Sequence, residues 1–333
     1  MKILLIGLGS IGKRHLNNIL ELGYTDISVV TRSGILPNEY KQLQVFENVH
    51  HAFENTFFDA AIICTPTALH LDALIPAIQK GVKNIYLEKP ISHSLEKMNE
   101  VISLANSNNT RIIVGYDLHF DLGLQKVHDL IKNNTVGKVL TVNAQVGQYL
   151  PDWRPHEDYS NGMSAKKETG GGVMLDLIHE FDYLYWLIGK VNKLASFNNN
   201  TQTLKIETED VAEVLLQFEN NVIGTIHLDY LQPELIRNCL FTCSSGTIFW
   251  DLVNCSVSWI TVNKEKNFFS YKGFERNQRF LEIMKLFLEN GADVRLTSLQ
   301  SGYESLKMVE AAKYSSLNNV VVLVKDFNIT SIT

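Results

Sequence analysis

Lys2-Ile3-Leu4-Leu5-Ile6-Gly7-Leu8-Gly9-Ser10-Ile11-Gly12 opens the chain and decides the fold. The apolar run at residues 2–6 has the length and character of a strand buried on both faces. It stops at glycines spaced G-x-G-x-x-G. Ile11, His15, Ile19 and Leu22 then recur on one side of a helix over residues 11–22. The glycine pattern alone is common, but strand, glycine turn and helix in this order form a dinucleotide-binding signature. Gly7 makes the tight turn, Gly9 lets the backbone approach a pyrophosphate, and Gly12 lets helix and strand pack closely. Ser10 and Ile11 open a helix whose free N–H groups and partial positive charge suit phosphates. The competing reading is a glycine turn with a structural role only.

Outward from this turn, residues 1–116 alternate short apolar strands with helical patterns. Strands are expected at 27–30, 60–63, 84–87 and 111–114, and helices from Thr67 to about Lys80 and over 95–105. Such alternation predicts a doubly wound parallel sheet covered on both faces. After Tyr116 the pattern changes. A helix at 123–132 leads to a long strand at 138–149, an irregular polar stretch at 150–169, three glycines and an apolar helix at 173–188. Strand patterns joined by short turns run from Val191 to Val262, two helices follow at 276–288 and 299–316, and a last strand is expected near 320–324. The expected fold is therefore α/β: an N-terminal Rossmann domain (residues 1–118) and a C-terminal α+β domain with an open, mainly antiparallel sheet (119–333).

The 333 residues carry a formal charge of −6, with 45% apolar and 20% charged residues, a composition that folds rather than stays disordered. The mild acidity argues against nucleic acid as a partner. No stretch approaches the roughly 18 apolar residues of a membrane helix, and the N-terminal apolar run is too short for a signal peptide. Cys64, Cys239, Cys243 and Cys255 have neither disulfide-framework density nor zinc spacing, so a cytoplasmic protein without a metal is expected.

An NAD-specific site would place Asp or Glu at the end of the second strand. The sequence reads Val30-Thr31-Arg32-Ser33 instead. Arg32, with Thr31 or Ser33, would welcome a 2′-phosphate that a carboxylate repels. A preference for NADP(H) over NAD(H) is expected, the alternative being a solvated loop cation. Thr65 and Pro66 end a strand on the same side, and His70 opens the next helix. Glu88-Lys89-Pro90 follows another strand, at the carboxyl edge where open sheets hold ligands. There Lys89 can hold a reacting oxygen and favour charge on it.

Asp176, His179 and Asp182 interrupt an otherwise apolar helix at i, i+3 and i+6. An acid beside an imidazole can set its tautomer for proton transfer. Equally, it can simply satisfy a buried histidine. Asp117 and His119 follow the strand at 111–114. The loop Tyr149-Leu150-Pro151-Asp152-Trp153-Arg154-Pro155-His156 offers Trp153 for stacking on a sugar ring and Arg154 for a phosphate or carboxylate, or else forms a surface contact.

Five segments in this order resemble the Gfo/Idh/MocA oxidoreductases: Gly7–His15, Thr65–His70, Glu88-Lys89-Pro90, Val114-Gly115-Tyr116 and Gly170–Asp182. The resemblance covers about residues 2–325. It implies that Lys89, Asp176 and His179 serve catalysis, that Glu88 lies with the cofactor, and that Tyr116, His119 and Asp182 face the substrate. The family's Asp…His pair is commonly four apart and here is three apart, and His119 stands where the family often has Arg. The shorter form, with Pro151–Pro155 and the triple glycine, looks most like a subgroup from bacterial surface-polysaccharide clusters, implying a sugar, amino sugar or nucleotide sugar as substrate. Family members are commonly dimers or tetramers, which points to a homodimer or homotetramer joined through the C-terminal sheet.

The expected chemistry is reversible oxidation of a secondary alcohol. His179 removes the hydroxyl proton, Lys89 holds the oxygen, Asp176 or Asp182 orients His179, and the nicotinamide lies in the cleft between the domains. The rivals are a trans-hydrogenating oxidoreductase that keeps its cofactor and a non-catalytic, cofactor-sensing regulator.

Overall fold

A computed structural model describes residues 1–54 and 56–328. In chain order the first segment carries β1 (Ile3–Ile6), α1 (Ser10–Glu21), β2 (Ile27–Val30), β3 (Gln44–Phe46), α2 (Val49–Glu54), β4 (Ala60–Ile63), α3 (His70–Gln79), β5 (Asn84–Leu87), α4 (Met98–Ser107) and β6 (Arg111–Val114). The middle carries α5 (Leu122–Lys132), β7 (Val139–Gly147), α6 (Val173–Asp176), α7 (His179–Ile188), β8 (Val191–Asn199), β9 (Val211–Phe218), β10 (Ile223–Asp229), β11 (Ile236–Cys243), β12 (Gly246–Asp251), β13 (Ser256–Thr261) and β14 (Lys266–Ser270). The chain closes with α8 (Arg276–Leu288), β15 (Thr297–Ser298), α9 (Leu299–Asn318) and β16 (Val322–Leu323).

The first compact unit comprises Met1–Asp117 and Arg276–Tyr303. Its sheet has the order β15-β6-β5-β4-β1-β2-β3. The six strands β1–β6 pair in parallel, and β15 adds an antiparallel edge against β6. The strand order reverses at β1, between β2 and β4, which puts the topological switch point at the carboxyl ends of β1 and β4. The four residues of β1 and of β4 are all buried, as a sheet with helices on both faces requires.

The sequence boundary at residue 118 puts Arg276–Tyr303 with the second domain; the compact units divide differently. The reason is packing. α8 lies on α1, Asn277 donates to Asn18 Oδ1 at 2.8 Å, and the Arg14 guanidinium stands 4.9 Å over the Phe280 ring. β3 and α2, which the sequence reading lacks, are three and six residues long.

The second unit, Leu118–Glu275 with Glu304–Thr333, holds a sheet of order β14-β13-β12-β11-β7-β10-β9-β8-β16. Among the described residues its pairings are antiparallel except β10 with β7. Burial alternates along β9 and β10, giving one face toward the helices and one outward. Leu215, Ile223 and Phe268 stand on the strands as exposed apolar side chains. The expected helix at 173–188 is instead two. α6 ends at Asp176, Leu177 takes φ −100° and ψ 31°, and α7 starts at His179.

On β10, His227 lies between Glu213 of β9 and Asp229, whose Oδ2 is 2.8 Å away. Hydrogen bonds to these carboxylates, Asp229 first, raise the imidazole to about 9 despite its partial burial. The folded chain therefore holds this proton more tightly than the unfolded chain does. The stabilisation is complete below about 6.5 and is lost as pH rises through about 9. Urea midpoints are expected to fall between pH 6.5 and 9.5 in the parent, and His227→Gln to flatten that slope; an equal slope in both would refute the assignment.

Candidate active site

The glycine turn is built for close approach. Gly7 has φ +95°, a conformation that suits glycine. A Cβ on Gly12 would stand 2.1 Å from the Gly7 carbonyl oxygen, so only glycine lets α1 pass. A Cβ on Gly9 would meet nothing within 4 Å, so the space before the helix is open. No side chain caps α1, whose first turn contains no acid. Uncapped N–H groups at the positive end of a twelve-residue helix, facing open space at the switch point, fit a dinucleotide pyrophosphate.

After β2, the Thr31 and Ser33 hydroxyls bond each other at 2.9 Å, and the Ser33 hydroxyl also donates to the Ile35 carbonyl. Arg32 projects from this turn and is exposed. A Cβ on Gly34 of the same turn would press on the Glu47 side chain, so an acid from the end of β3 stands beside the loop.

The Glu88-Lys89-Pro90 turn at the end of β5 is held from two sides, and its Lys89–Pro90 peptide is cis. His15 of α1, fully buried, donates from Nε2 to Glu88 Oε1 at 2.6 Å. Glu88 Oε2 accepts the Lys89 backbone N–H at 3.2 Å. His70, also buried, places Nδ1 2.8 Å from the Pro90 carbonyl oxygen and Nε2 3.0 Å from that of Thr65. Burial holds its imidazole below the ordinary value, and the neutral ring has one N–H, so it donates to one of these two backbone oxygens while packing between both turns. Tyr116 is buried, and Asp117 accepts from Arg279 of α8 at 3.1 Å with both side chains nearly covered.

In the second unit the acids of α6 and α7 each have a partner from another element. Asp176 Oδ2 accepts from the Tyr230 hydroxyl at 2.6 Å. Burial, then Asp176 itself, pushes the Tyr230 phenol well above its usual range. Asp182 Oδ2 lies 2.8 Å from His119 Nε2, and both are buried. The His119 ring stacks on Trp186 at 4.3 Å, and Trp186 stacks on His128 at 4.8 Å. Glu180, beside His179, takes a two-pronged bond from Arg237, with both distances 2.8 Å. Glu209 lies where a Cβ on Gly172 would be, at the start of α6, and burial raises its carboxyl. Trp153 meets Tyr230 edge to face at 5.4 Å, while Arg154 is exposed and pairs with Glu157.

The structure thus brings Asp176 together with Trp153, through Tyr230, and Asp182 together with His119. Tyr230, Glu209, Arg237 and Arg279 escape the sequence reading because their partners lie far along the chain. Only the rule that a buried acid needs a partner pointed toward them. Among the described residues no group of three or more His, Cys, Asp or Glu side chains can hold a metal, and no helix is long and apolar enough to cross a membrane. Cys64, Cys239 and Cys243 are buried thiols raised by desolvation.

Fold and glycine turn together define a dinucleotide-binding Rossmann architecture, and comparison with known proteins agrees. Residues 1–116 match the oxidoreductase family with an NAD-binding Rossmann fold, and residues 124–249 match the GFO/IDH/MocA C-terminal domain. The chain belongs to the GFO/IDH/MocA oxidoreductase family. It is 25% identical to myo-inositol 2-dehydrogenase of Thermotoga maritima over 96% of this chain and 100% of that one. Two further curated relatives are matched over 65% and 59% of their own length. Its fold is that of an inositol dehydrogenase homolog from Azotobacter vinelandii complexed with NAD+ (TM-score 0.83, 15% identity, 97% of each chain). It is also that of the WlbA dehydrogenase from Bordetella pertussis, solved with NADH and UDP-GlcNAcA (TM-score 0.81, 20% identity, 97% of this chain and 98% of that one).

Asp182→Ala leaves buried His119 without this acceptor and is expected to destabilise the fold by about 3 kcal/mol. Asp182→Asn, which keeps an acceptor oxygen, should cost less. Equal urea midpoints for Asp182→Ala and the parent would show the pair to be energetically idle.

Proposed function

We propose that the protein is an NAD(P)-dependent dehydrogenase acting on a secondary alcohol, or the corresponding ketone, of a sugar, amino sugar or nucleotide sugar. The observation that carries this reading is the uncapped α1 terminus at the switch point, with the Lys89 turn on the same sheet edge. The names of the relatives support the substrate class, since those proteins act on or bind inositol and a nucleotide-sugar acid. A role in building surface polysaccharide rests on the Pro151–Pro155 and triple-glycine resemblance.

Gly7, Gly9, Ser10, Ile11 and Gly12 take the pyrophosphate. Thr65, Pro66, His70 and Glu88 shape the rest of the cofactor edge. When bound, the nicotinamide supplies the hydride acceptor or donor. Lys89 hydrogen-bonds the reacting oxygen and favours charge there. His179 accepts the hydroxyl proton on oxidation and returns it on reduction. Asp176, fixed by Tyr230, orients His179, while Asp182 with His119 holds the substrate side. Tyr116, Trp153 and Arg154 contact the sugar and its anionic group. The exposed face of the nine-stranded sheet joins subunits into a dimer or tetramer, and the protein works in the cytoplasm.

Exposed Arg32 beside two hydroxyls favours NADP(H) over NAD(H), with Glu47 as the opposing charge. Titration by nicotinamide fluorescence should give tighter NADPH than NADH in the parent, and Arg32→Ala should weaken NADPH about tenfold more than NADH. NADH binding tenfold tighter than NADPH would retire the Arg32 reading.

Once a sugar substrate is found, Lys89→Ala and His179→Ala should each lower kcat by about 10²–10⁴ while NAD(P)H still binds. Near-parental turnover in either variant would remove that residue from the chemistry.

A further inference from the structure

Two buried histidines of the first unit have no part in the proton transfer described above, yet both end on the Lys89 turn. His15 is 0% exposed and stands in the second turn of α1, three residues after the glycine that only a bare backbone permits. Its ring meets Tyr86 at 5.0 Å and Phe280 at 6.0 Å, both edge to face, so its orientation is fixed by packing. Its Nδ1 is buried without a hydrogen-bond partner among the described residues. A buried N–H left without an acceptor costs more than a bare lone pair, so the proton belongs on Nε2, facing Glu88 Oε1 at 2.6 Å. Glu88 is 7% exposed, and its other oxygen accepts the Lys89 backbone N–H. A Cβ on Gly115 would stand 3.1 Å from Glu88 Oε1, so the end of β6 closes the third side of the carboxylate. Across the turn, His70 reaches the Pro90 carbonyl.

We infer that His15 is a positioning residue for Lys89, acting through Glu88 to lock the dinucleotide-binding helix to the backbone of the lysine turn. One carboxylate spans the two, with one oxygen for the helix and one for the turn, so α1 cannot shift without moving the peptide that aims Lys89. The function attached to this tie rests on the proposed role of Lys89; the tie itself does not.

Hydrogen exchange of the full-length protein without ligand tests it. His15→Leu keeps the apolar contacts with Tyr86 and Phe280 and removes the donor. His15→Gln keeps an N–H at similar reach. Exchange in peptides covering residues 87–91 should quicken about tenfold in His15→Leu, the least that loss of a hydrogen bond to a charged group is worth. It should return to within about threefold of the parent in His15→Gln, with β2 peptides unchanged in both. Equal exchange in all three proteins, failure of Gln to restore protection, or equal loosening of β2 would overturn the inference. If His15→Leu does not fold, Glu88→Gln decides. Its amide has one acceptor for two donors, so the 87–91 exchange should again rise about tenfold, and unchanged exchange would overturn the tie. NADH titration of the parent is read separately. Absence of binding there sinks the dehydrogenase reading and leaves the exchange result standing.

Discussion

The first unit depends on a backbone approach that admits no side chain. α1 crosses the end of β1 with Gly12 so near the Gly7 carbonyl that a single methyl group would collide with it. That closeness sets the direction of α1, and the direction does three things. It aims free N–H groups into open space at the switch point, it carries His15 to Glu88, and it leaves a flank on which α8 packs. A sequence that lost this glycine would lose this direction of α1 and, with it, the placement of His15 against Glu88.

The second unit follows a different rule. α6 and α7 are strongly apolar, and the acids set among the apolar residues would be costly to bury alone. Each is answered by a group from elsewhere in the unit: Asp176 by Tyr230, Glu180 by Arg237 and Asp182 by His119. Such pairs add little net stability over apolar residues of similar volume, but they permit few alternative packings. They fix where each carboxylate points.

Much of this architecture was legible in the chain. β2, β4, β5 and β6 fall on the residues their apolar runs predict, because strands buried on both faces carry their signal locally. β3 and α2 were not legible. β3 is short and mostly uncovered, so it has no apolar signature, and its place is set by β2 beside it. The break at Leu177 was also invisible, since apolar residues continue through it at helical spacing. It follows from anchors outside the segment, Glu209 at its start and Tyr230 on Asp176. Of the candidate residues, the glycine turn, Lys89 and the histidine helix announced themselves by motif and position. The partners that hold them did not, because Arg279, Arg237 and Tyr230 meet their acids only through the fold.

The break between α6 and α7 bears on how this sequence can vary. In one continuous helix, adding or removing a residue would turn everything beyond it by about 100° and carry each buried acid away from its partner. A non-helical step at Leu177 absorbs such a change locally, because α6 and α7 are anchored independently. The three-residue spacing of Asp176 and His179 falls across this joint. A length change there alters the distance between acid and imidazole while sparing the pairings of α7 downstream, so the joint is where the chain can tolerate an insertion or deletion.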